Sequence, residues 1–538
     1  MAFDKSGGKG SVLPDTYLPW LAVFFVVLAV KVSVILETRT GPPCFGMRLT
    51  DYLQLFTAAS YNSLARLPGP WYTKFTSVLY TYHQLRGRAP LYVQSLHAKY
   101  GPIVRTAPHE VDISDPAAVQ TIYRVKGEFL KSPWYKTLAL GTPNVFNATD
   151  PLVHRRRRRN LSQPLFETGL RSVVPLIDRK VQLAIEKMAF EMKERGAADI
   201  YKWWLFMATD LIGLLSFGES FGMLEKGKKN QYIKDIETTG NTFMVRAALP
   251  SLTRWLRKVP FALPLECLKT ANEVEARTMQ YAHDCLQRHQ RLVLESPETA
   301  LDTLFSKLYR TPTVGGDESA LTPLELTADA QAYIIGGSDT LSKTLTYLVW
   351  AVCRTPGVRQ KLVQEIRQRL PLPGQTSFTD AQVRELPYLA MVIEETQRLY
   401  PAVPAALPRV VPPDAPELCG HRLPAGAIVT TSAYCLHRDP DAFPDPERFW
   451  PERWQNPTKR MKDVFLPFGG GSRVCLGLHL ARLEIRLAAA RFFHRFPDVE
   501  MSTLEGMSDA DMEPQWYFVL TPRAKRCLVQ QAGGQGWD

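Results

Sequence analysis

The sequence predicts a mainly α-helical fold with smaller β-sheets, an α+β chain built as one large domain behind an N-terminal transmembrane anchor. Three observations carry that reading. Helical patterning dominates from about residue 170 to 310 and resumes at Thr322. Strand-like stretches are short, as around 103–113 and 427–430. A 19-residue run, Leu18–Leu36, is apolar except for Lys31 and Ser33. No internal repeat or long central linker divides the 538 residues, a length that can bury a large core. The hydrophobic fraction of 45% is that of a folded globular body rather than a polytopic membrane protein. The net charge of +12 suggests an acidic partner, an anionic membrane surface or an anionic cofactor. Eight scattered cysteines with no C-x-x-C pair are too sparse for a disulfide framework, so the main body is expected to face a reducing compartment.

In chain order, residues 1–15 are expected to form a lumenal N-terminus, 16–37 the transmembrane helix, 38–70 an interfacial segment with a Pro-rich hinge, 71–528 the main domain and 529–538 a flexible tail. The apolar run would reach about 28 Å as a helix, close to a bilayer core, with Lys31 snorkelling at one end. A cleaved signal peptide needs small residues at its cleavage site, and Val34-Ile35-Leu36-Glu37 offers none. Lys31, Arg39 and Arg48 outweigh the charge before the run, which places the main body in the cytosol. Asp51–Leu67 reads as interfacial, and Leu67-Pro68-Gly69-Pro70 as a stiff bend.

Ile103-Val104-Arg105 and Val111-Asp112-Ile113 flank a turn at Ala107-Pro108-His109 and read as a hairpin. Further on, His154 precedes five arginines, Arg155–Arg159. On a helix His154 and Arg158 share a face and suit donation to one buried anion. The other arginines would then point outward to an acidic docking partner, although such runs also serve as solvated faces, localisation signals or nucleic-acid patches. Thr322-Pro323-Leu324-Glu325 is a capping box that opens a long helix. Gly336 and Gly337 in that helix cost about 1 kcal/mol each relative to Ala. They let something large lie against the backbone, and Asp339 and Thr340 beside them suit binding a small polar species and passing protons to it. A kinked core helix is the plain alternative. Glu395 and Arg398 are spaced to pair, and Arg453, in Pro451-Glu452-Arg453-Trp454, is far enough along to fold back on them.

Residues Phe468–Gly477 read F-G-G-G-S-R-V-C-L-G and open onto an apolar helix. They combine a tight-turn run, a fixed cation (Arg473) and one cysteine (Cys475). The helix start would stabilise a thiolate there, and haem iron is the metal that most often takes one cysteine thiolate from a loop. A buried structural cysteine is the alternative.

Together these features resemble the cytochrome P-450 family of haem-thiolate monooxygenases, in its fungal microsomal form. The pattern F-x-x-G-x-R-x-C-x-G is met at Phe468, Gly471, Arg473, Cys475 and Gly477, and E-x-x-R at Glu395 and Arg398, with Arg453 from P-E-R-W. The pattern [AG]-G-x-[DE]-T-[TS] is met at Gly336, Gly337, Asp339 and Thr340 and departs at Leu341, with Ser342 one place later. His154, Arg158 and Arg409 resemble a propionate clamp. The resemblance implies the P-450 fold over nearly the whole chain and haem b with Cys475 as axial iron ligand. His154, Arg158, Arg409 and Arg473 would hold the propionates, with Phe468, Gly336, Gly337 and Gly477 against the cofactor. Thr340 and Asp339 would deliver protons, and Glu395, Arg398 and Arg453 would form a structural triad.

The resemblance further implies oxygen insertion into a lipophilic substrate such as a polyketide, terpenoid or alkaloid. O2 and NADPH-derived electrons would be co-substrates, delivered through NADPH-cytochrome P-450 reductase with cytochrome b5 as a second donor, at the endoplasmic reticulum membrane. Pocket segments by family analogy are Phe129–Phe146, Ile334-Ile335, Val403–Ala406 and Gln515–Phe518. A haem-thiolate desaturase, isomerase or dehydratase shares the site, and dependence on O2 and NADPH with product mass separates these. A membrane-tethered nucleic-acid binder would account for the arginines but leaves Phe468–Gly477 unexplained and lacks an aromatic stacking platform, so no nucleic-acid partner is expected.

Overall fold

The longest helical patterns of the sequence become the longest helices of the computed structural model, which describes residues 63–125, 127–138, 142–249, 266–296, 303–306, 321–371, 377–404 and 406–532. The expected anchor at 16–37 lies outside the described residues. Among the described residues, no helix is long and apolar enough to cross a membrane.

The elements that position the site follow in chain order. Helices α1 (Val78–Leu85) and α2 (Ala89–Tyr100) lead into strands β1 (Ile103–Ala107) and β2 (Glu110–Ile113), then β3 (Leu130–Lys131). After α3 (Pro151–Ser162) and α4 (Val174–Arg195) come β4 (Ala198–Asp199), α5 (Ile200–Phe217), α6 (Gln231–Ala248) and α7 (Glu266–Glu295). The central helix is α8 (Pro323–Arg354), followed by α9 (Pro387–Leu399), β5 (Arg409–Val410), β6 (Ile428–Thr430) and α10 (Leu478–Arg495). Strands β7 (Val499–Met501), β8 (Pro514–Trp516), β9 (Leu520–Pro522) and β10 (Leu528–Gln531) finish the chain. Among the described residues the strands form a five-stranded sheet in the order β1-β2-β6-β5-β3, a three-stranded sheet β4-β10-β7, and the β8-β9 hairpin.

Two cores result. Helix α5 is apolar around nearly its whole circumference, the pattern of a fully buried helix, and packs with α4, α8 and α10 into the larger core. A second core covers the five-stranded sheet and includes Leu64, Val111, Val429 and Trp454. The capping box at Thr322 and Glu325 is present at the start of α8. The hairpin pairs Ile103 with Ile113 and Arg105 with Val111, then shifts register before the turn.

Two expected boundaries move. The end of the interfacial segment and the hinge are part of the folded body: Leu64 and Leu67 are buried, and Arg105 reaches under the hinge. Its Nε donates to Thr73 Oγ1 at 3.0 Å, Nη1 to the carbonyls of Leu64, Ala65 and Leu67 at 2.9, 3.1 and 2.9 Å, and Nη2 to that of Pro70 at 3.2 Å. At the other end β10 runs to Gln531, so residues 529–531, expected as the start of a flexible tail, belong to the sheet, and the rest of that expected tail from 533 lies outside the described residues. Val529 pairs with both Ala198 and Met501 and is fully buried, which holds the strand in the sheet.

Candidate active site

The loop before α10 is shaped by hydrogen bonds and by two glycines with positive φ. Gly469 and Gly471 have φ of 71° and 63°, conformations that favour glycine. A Cβ on Gly471 would fall 2.0 Å from the Tyr123 carbonyl oxygen. The Cys475 N–H donates to the Phe468 carbonyl at 2.9 Å and the Val474 N–H to that of Gly471 at 3.2 Å. Gly477 caps α10, and its carbonyl accepts the Ala481 N–H at 2.8 Å. Cys475 retains accessible surface, yet burial pushes its thiol up, opposed by the Gly477 backbone and by Arg158. A group both accessible and enclosed faces open space inside the molecule.

Five basic side chains converge beside it. Arg158 on α3 donates to the Val474 carbonyl at 2.8 Å, Arg473 to that of Ala148 at 2.8 Å, and Arg409 on β5 to that of Pro408 at 3.1 Å and to the Tyr135 hydroxyl at 3.3 Å. Burial, then Arg473, Arg158, Lys131 and Arg409, lower His154 to about 3. Burial, then chiefly Arg409, lowers Arg473 to about 10. Lys131 is depressed by burial and by Arg409 and Arg473. Among the described residues none of the five joins an ion pair. Lys131 was not singled out from sequence. Its partner is set by register alone, because β3 pairs with β5 so that Lys131 lies opposite Arg409. Two cations directly across a ladder repel, which an anion between them would offset.

The arginine run divides differently from expectation. Arg155 and Arg159 are exposed, but Arg157 is buried against Asp329 and Glu325 of α8, and Arg156 also pairs with Glu325. The acidic residues on the start of α8 draw these two inward.

On the opposite wall, Ile335 and Gly336 keep accessible surface although α8 is a core helix. A Cβ on Gly336 would meet nothing within 4 Å, whereas one on Gly337 would lie 2.9 Å from Ile212 of α5. The two glycines therefore face different ways: Gly336 opens the notch and Gly337 lets α8 and α5 approach. Thr340 Oγ1 donates to the Gly336 carbonyl at 2.6 Å, and Asp339 pairs with Lys343 at 2.9 Å. Tyr333, one turn earlier, feels Asp329, Arg158 and Cys475, which places this part of α8 beside the cysteine.

Beneath the loop, Glu395 accepts Arg398 Nε and Nη2 at 2.8 Å each, Arg453 Nε at 3.1 Å, the Trp450 N–H at 2.8 Å and Trp454 Nε1 at 2.9 Å. Glu395 and Arg398 have no accessible side-chain surface. His437, missed from sequence, joins this network to the loop. Its Nδ1 donates to the Arg398 carbonyl at 3.1 Å and its Nε2 accepts the Leu466 N–H at 2.9 Å. Burial lowers it to about 3, so the ring stays neutral and can play both roles.

Comparison with known proteins places the chain in one family. The family model for cytochrome P450 covers residues 68–529. Cytochrome P450 monooxygenase tazI of Aspergillus terreus is 46% identical, over 89% of this chain and 96% of that protein. Cytochrome P450 monooxygenase azaI of Aspergillus niger is 38% identical, over 80% and 94%. The retinoic-acid-bound cyanobacterial CYP120A1 shares the fold, with TM-score 0.64 and 23% identity over 81% of this chain and 93% of that one. The chain belongs to the cytochrome P450 family. It is an oxidoreductase that uses O2, haem iron and reductant-derived electrons, and the family implies a redox-partner reductase and a small-molecule substrate. The residues present fit a haem: an accessible cysteine at a helix N-terminus, five basic groups without an ion-pair partner among the described residues for two carboxylates, and a notched helix opposite.

Proposed function

We propose that this protein inserts one oxygen atom into a C–H or C=C bond of a lipophilic small molecule, in secondary-metabolite biosynthesis at the endoplasmic reticulum membrane with its catalytic domain facing the cytosol. The observation that carries the reading is Cys475, accessible inside the fold and opposite the Gly336 notch. When bound, haem supplies activation of dioxygen, with Cys475 as the thiolate that favours O–O cleavage.

The chain's own residues do the rest. Lys131, His154, Arg158, Arg409 and Arg473 would hold the propionates of a bound haem by charge-assisted hydrogen bonds. The Gly477 backbone moderates charge on the Cys475 sulfur. Thr340 presents a hydroxyl at Oγ1 that can hold or pass a proton, and Asp339 supplies that position from the Lys343 side. Glu395, Arg398 and Arg453 lock the scaffold. Phe146 and Phe518 rings lie 5.7 Å apart and Tyr135 and Phe146 5.8 Å apart, giving an apolar, aromatic pocket wall. Exposed Arg155 and Arg159 suit an acidic-faced reductase.

Membrane attachment is supported by one face. Trp71 is 74% exposed, and Leu79, Tyr82 and Leu85 of α1 are exposed on one side. Residues 63–100 contain Arg66, Lys74, Arg86, Arg88 and Lys99 and no acidic residue. Basic, aromatic-rich surfaces of this kind suit an anionic lipid interface.

The test is the reduced, carbon-monoxide-bound spectrum of the purified protein. The wild type is expected to show the red-shifted Soret band of thiolate ligation, and Cys475→Ala to abolish it. An unchanged band in that variant would sink the assignment.

A further inference from the structure

Arg157 is accounted for neither by the propionate clamp nor by an outward docking face. It is 1% exposed on α3, next to Arg158 but turned towards α8. There its Nη1 lies 2.5 Å from Asp329 Oδ2 and 3.2 Å from the Glu325 carbonyl, and its Nη2 lies 3.1 Å from Glu325 Oε1. Asp329, itself fully buried, uses its other oxygen on neither helix: Oδ1 accepts the Val145 N–H at 2.6 Å.

The loop thus held is a preformed turn. Asn144 Oδ1 accepts the N–H groups of Phe146 and Asn147 at 3.0 Å each, and Asn147 Oδ1 accepts that of Asn144 at 2.7 Å. On either side of this turn are the pieces that touch the site. The Phe146 ring meets Tyr135 and Phe518, its carbonyl accepts Lys131, and the Ala148 carbonyl accepts Arg473. One buried carboxylate therefore joins α3, α8 and the loop that supplies both a pocket wall and a prop for the propionate clamp.

A buried ion pair is a poor way to gain stability, since an apolar pair of the same volume often does as well. Its attested use is to fix register between parts. Burial also pushes Asp329 up to about 6, against the pull of Arg157, so the carboxylate is held at a cost that packing alone does not explain.

We propose that Asp329 is a positioning residue: its carboxylate, paired with Arg157, latches residues 142–148 onto α8 and thereby sets where Phe146 stands and which molecules the site admits. The effect on admission rests on the monooxygenase reading, whereas the latch does not.

The experiment uses the full-length, haem-loaded chain and the variants Asp329→Ala and Asp329→Asn. Hydrogen–deuterium exchange reads the peptide 142–149, and haem-ligand titrations use imidazole as a small probe and miconazole as a bulky apolar one. In Asp329→Ala, exchange at 142–149 is expected to rise about tenfold, the scale of one lost hydrogen bond to a charged group. Exchange in α10 should stay unchanged and the thiolate–carbon monoxide band should remain. The ratio of miconazole to imidazole affinity should shift about fivefold or more, a change in selectivity rather than in binding as such. Asp329→Asn, which keeps an acceptor but loses the negative charge that faces Arg157, should move both readouts the same way by less.

Unchanged exchange at 142–149 in a haem-loaded variant would overturn the latch, and so would an equal loss of both ligands. If Asp329→Ala does not retain haem, Asp329→Asn decides by the same readouts. Collapse of both variants would also overturn the proposal, because the carboxylate would then serve the fold as a whole. A wild type without the thiolate band would instead remove the monooxygenase reading and leave the exchange result standing.

Discussion

A thiol surrounded by protein resists ionising, and Cys475 is held against that resistance by local geometry. The Gly477 backbone and Arg158 both favour its charged form. Only a particular backbone can bring these together, and Gly471 is where it is most constrained. With φ at 63° and a Cβ position 2.0 Å from the Tyr123 carbonyl and 2.7 Å from that of Arg124, an added methyl has no room. Gly506 provides a comparison, since its φ is 68° and nothing lies within 4 Å of its Cβ position. Gly506→Ala is expected to cost about 1–2 kcal/mol, the left-handed penalty alone. Gly471→Ala is expected to cost clearly more and to lose haem. Thermal unfolding and haem content check this, and equal effects at both positions would show that the contact with Tyr123 is unimportant.

At the scale of elements, helices α8 and α10 bring polar residues into the core on purpose-built terms. Glu484 of α10 is buried, and burial alone pushes its carboxyl up to about 8. Its folded pKa is raised above the unfolded value of about 4.3. Its contribution is therefore fully present below that value and is lost as pH rises through about 8. Between those limits stability falls by up to about 1.4 kcal/mol per pH unit from this group. Glu484→Gln should consequently raise the thermal midpoint relative to wild type at pH 8 and do much less at pH 5. A gain that is the same at both values would assign the effect to packing rather than ionisation.

At the scale of the whole molecule, Arg105 decides how the chain enters the body. It is buried, and it holds four carbonyls and one hydroxyl of residues 64–73. Any segment N-terminal to the hinge is therefore attached at a fixed place beside the exposed Trp71 and α1 face. Arg105→Leu removes the guanidinium that ties those carbonyls together and is expected to speed limited proteolysis within residues 63–74, with the thiolate band retained. Mass spectrometry of the fragments reads the site of cleavage, and an unchanged cutting rate there would show that packing of Leu64 and Leu67 suffices.

The sequence by itself determined the cysteine loop, the capped and notched central helix, the hairpin at 103–113 and the pairing of Glu395 with Arg398, because each depends on residues close in the chain or on a pattern of fixed spacing. Tertiary structure decided everything that depends on which elements meet. Lys131 joins the basic cluster only through the β3–β5 register, and His437 bridges Arg398 and Leu466 only because their chain segments converge on it. Gly336 and Gly337 look alike in sequence, but the 100° turn between successive helix positions aims one at open space and the other at Ile212. The five arginines are also alike until α8 presents Glu325 and Asp329 and draws Arg156 and Arg157 inward. Identical side chains take different roles when their neighbours are distant in sequence, and a linear pattern holds no record of those neighbours.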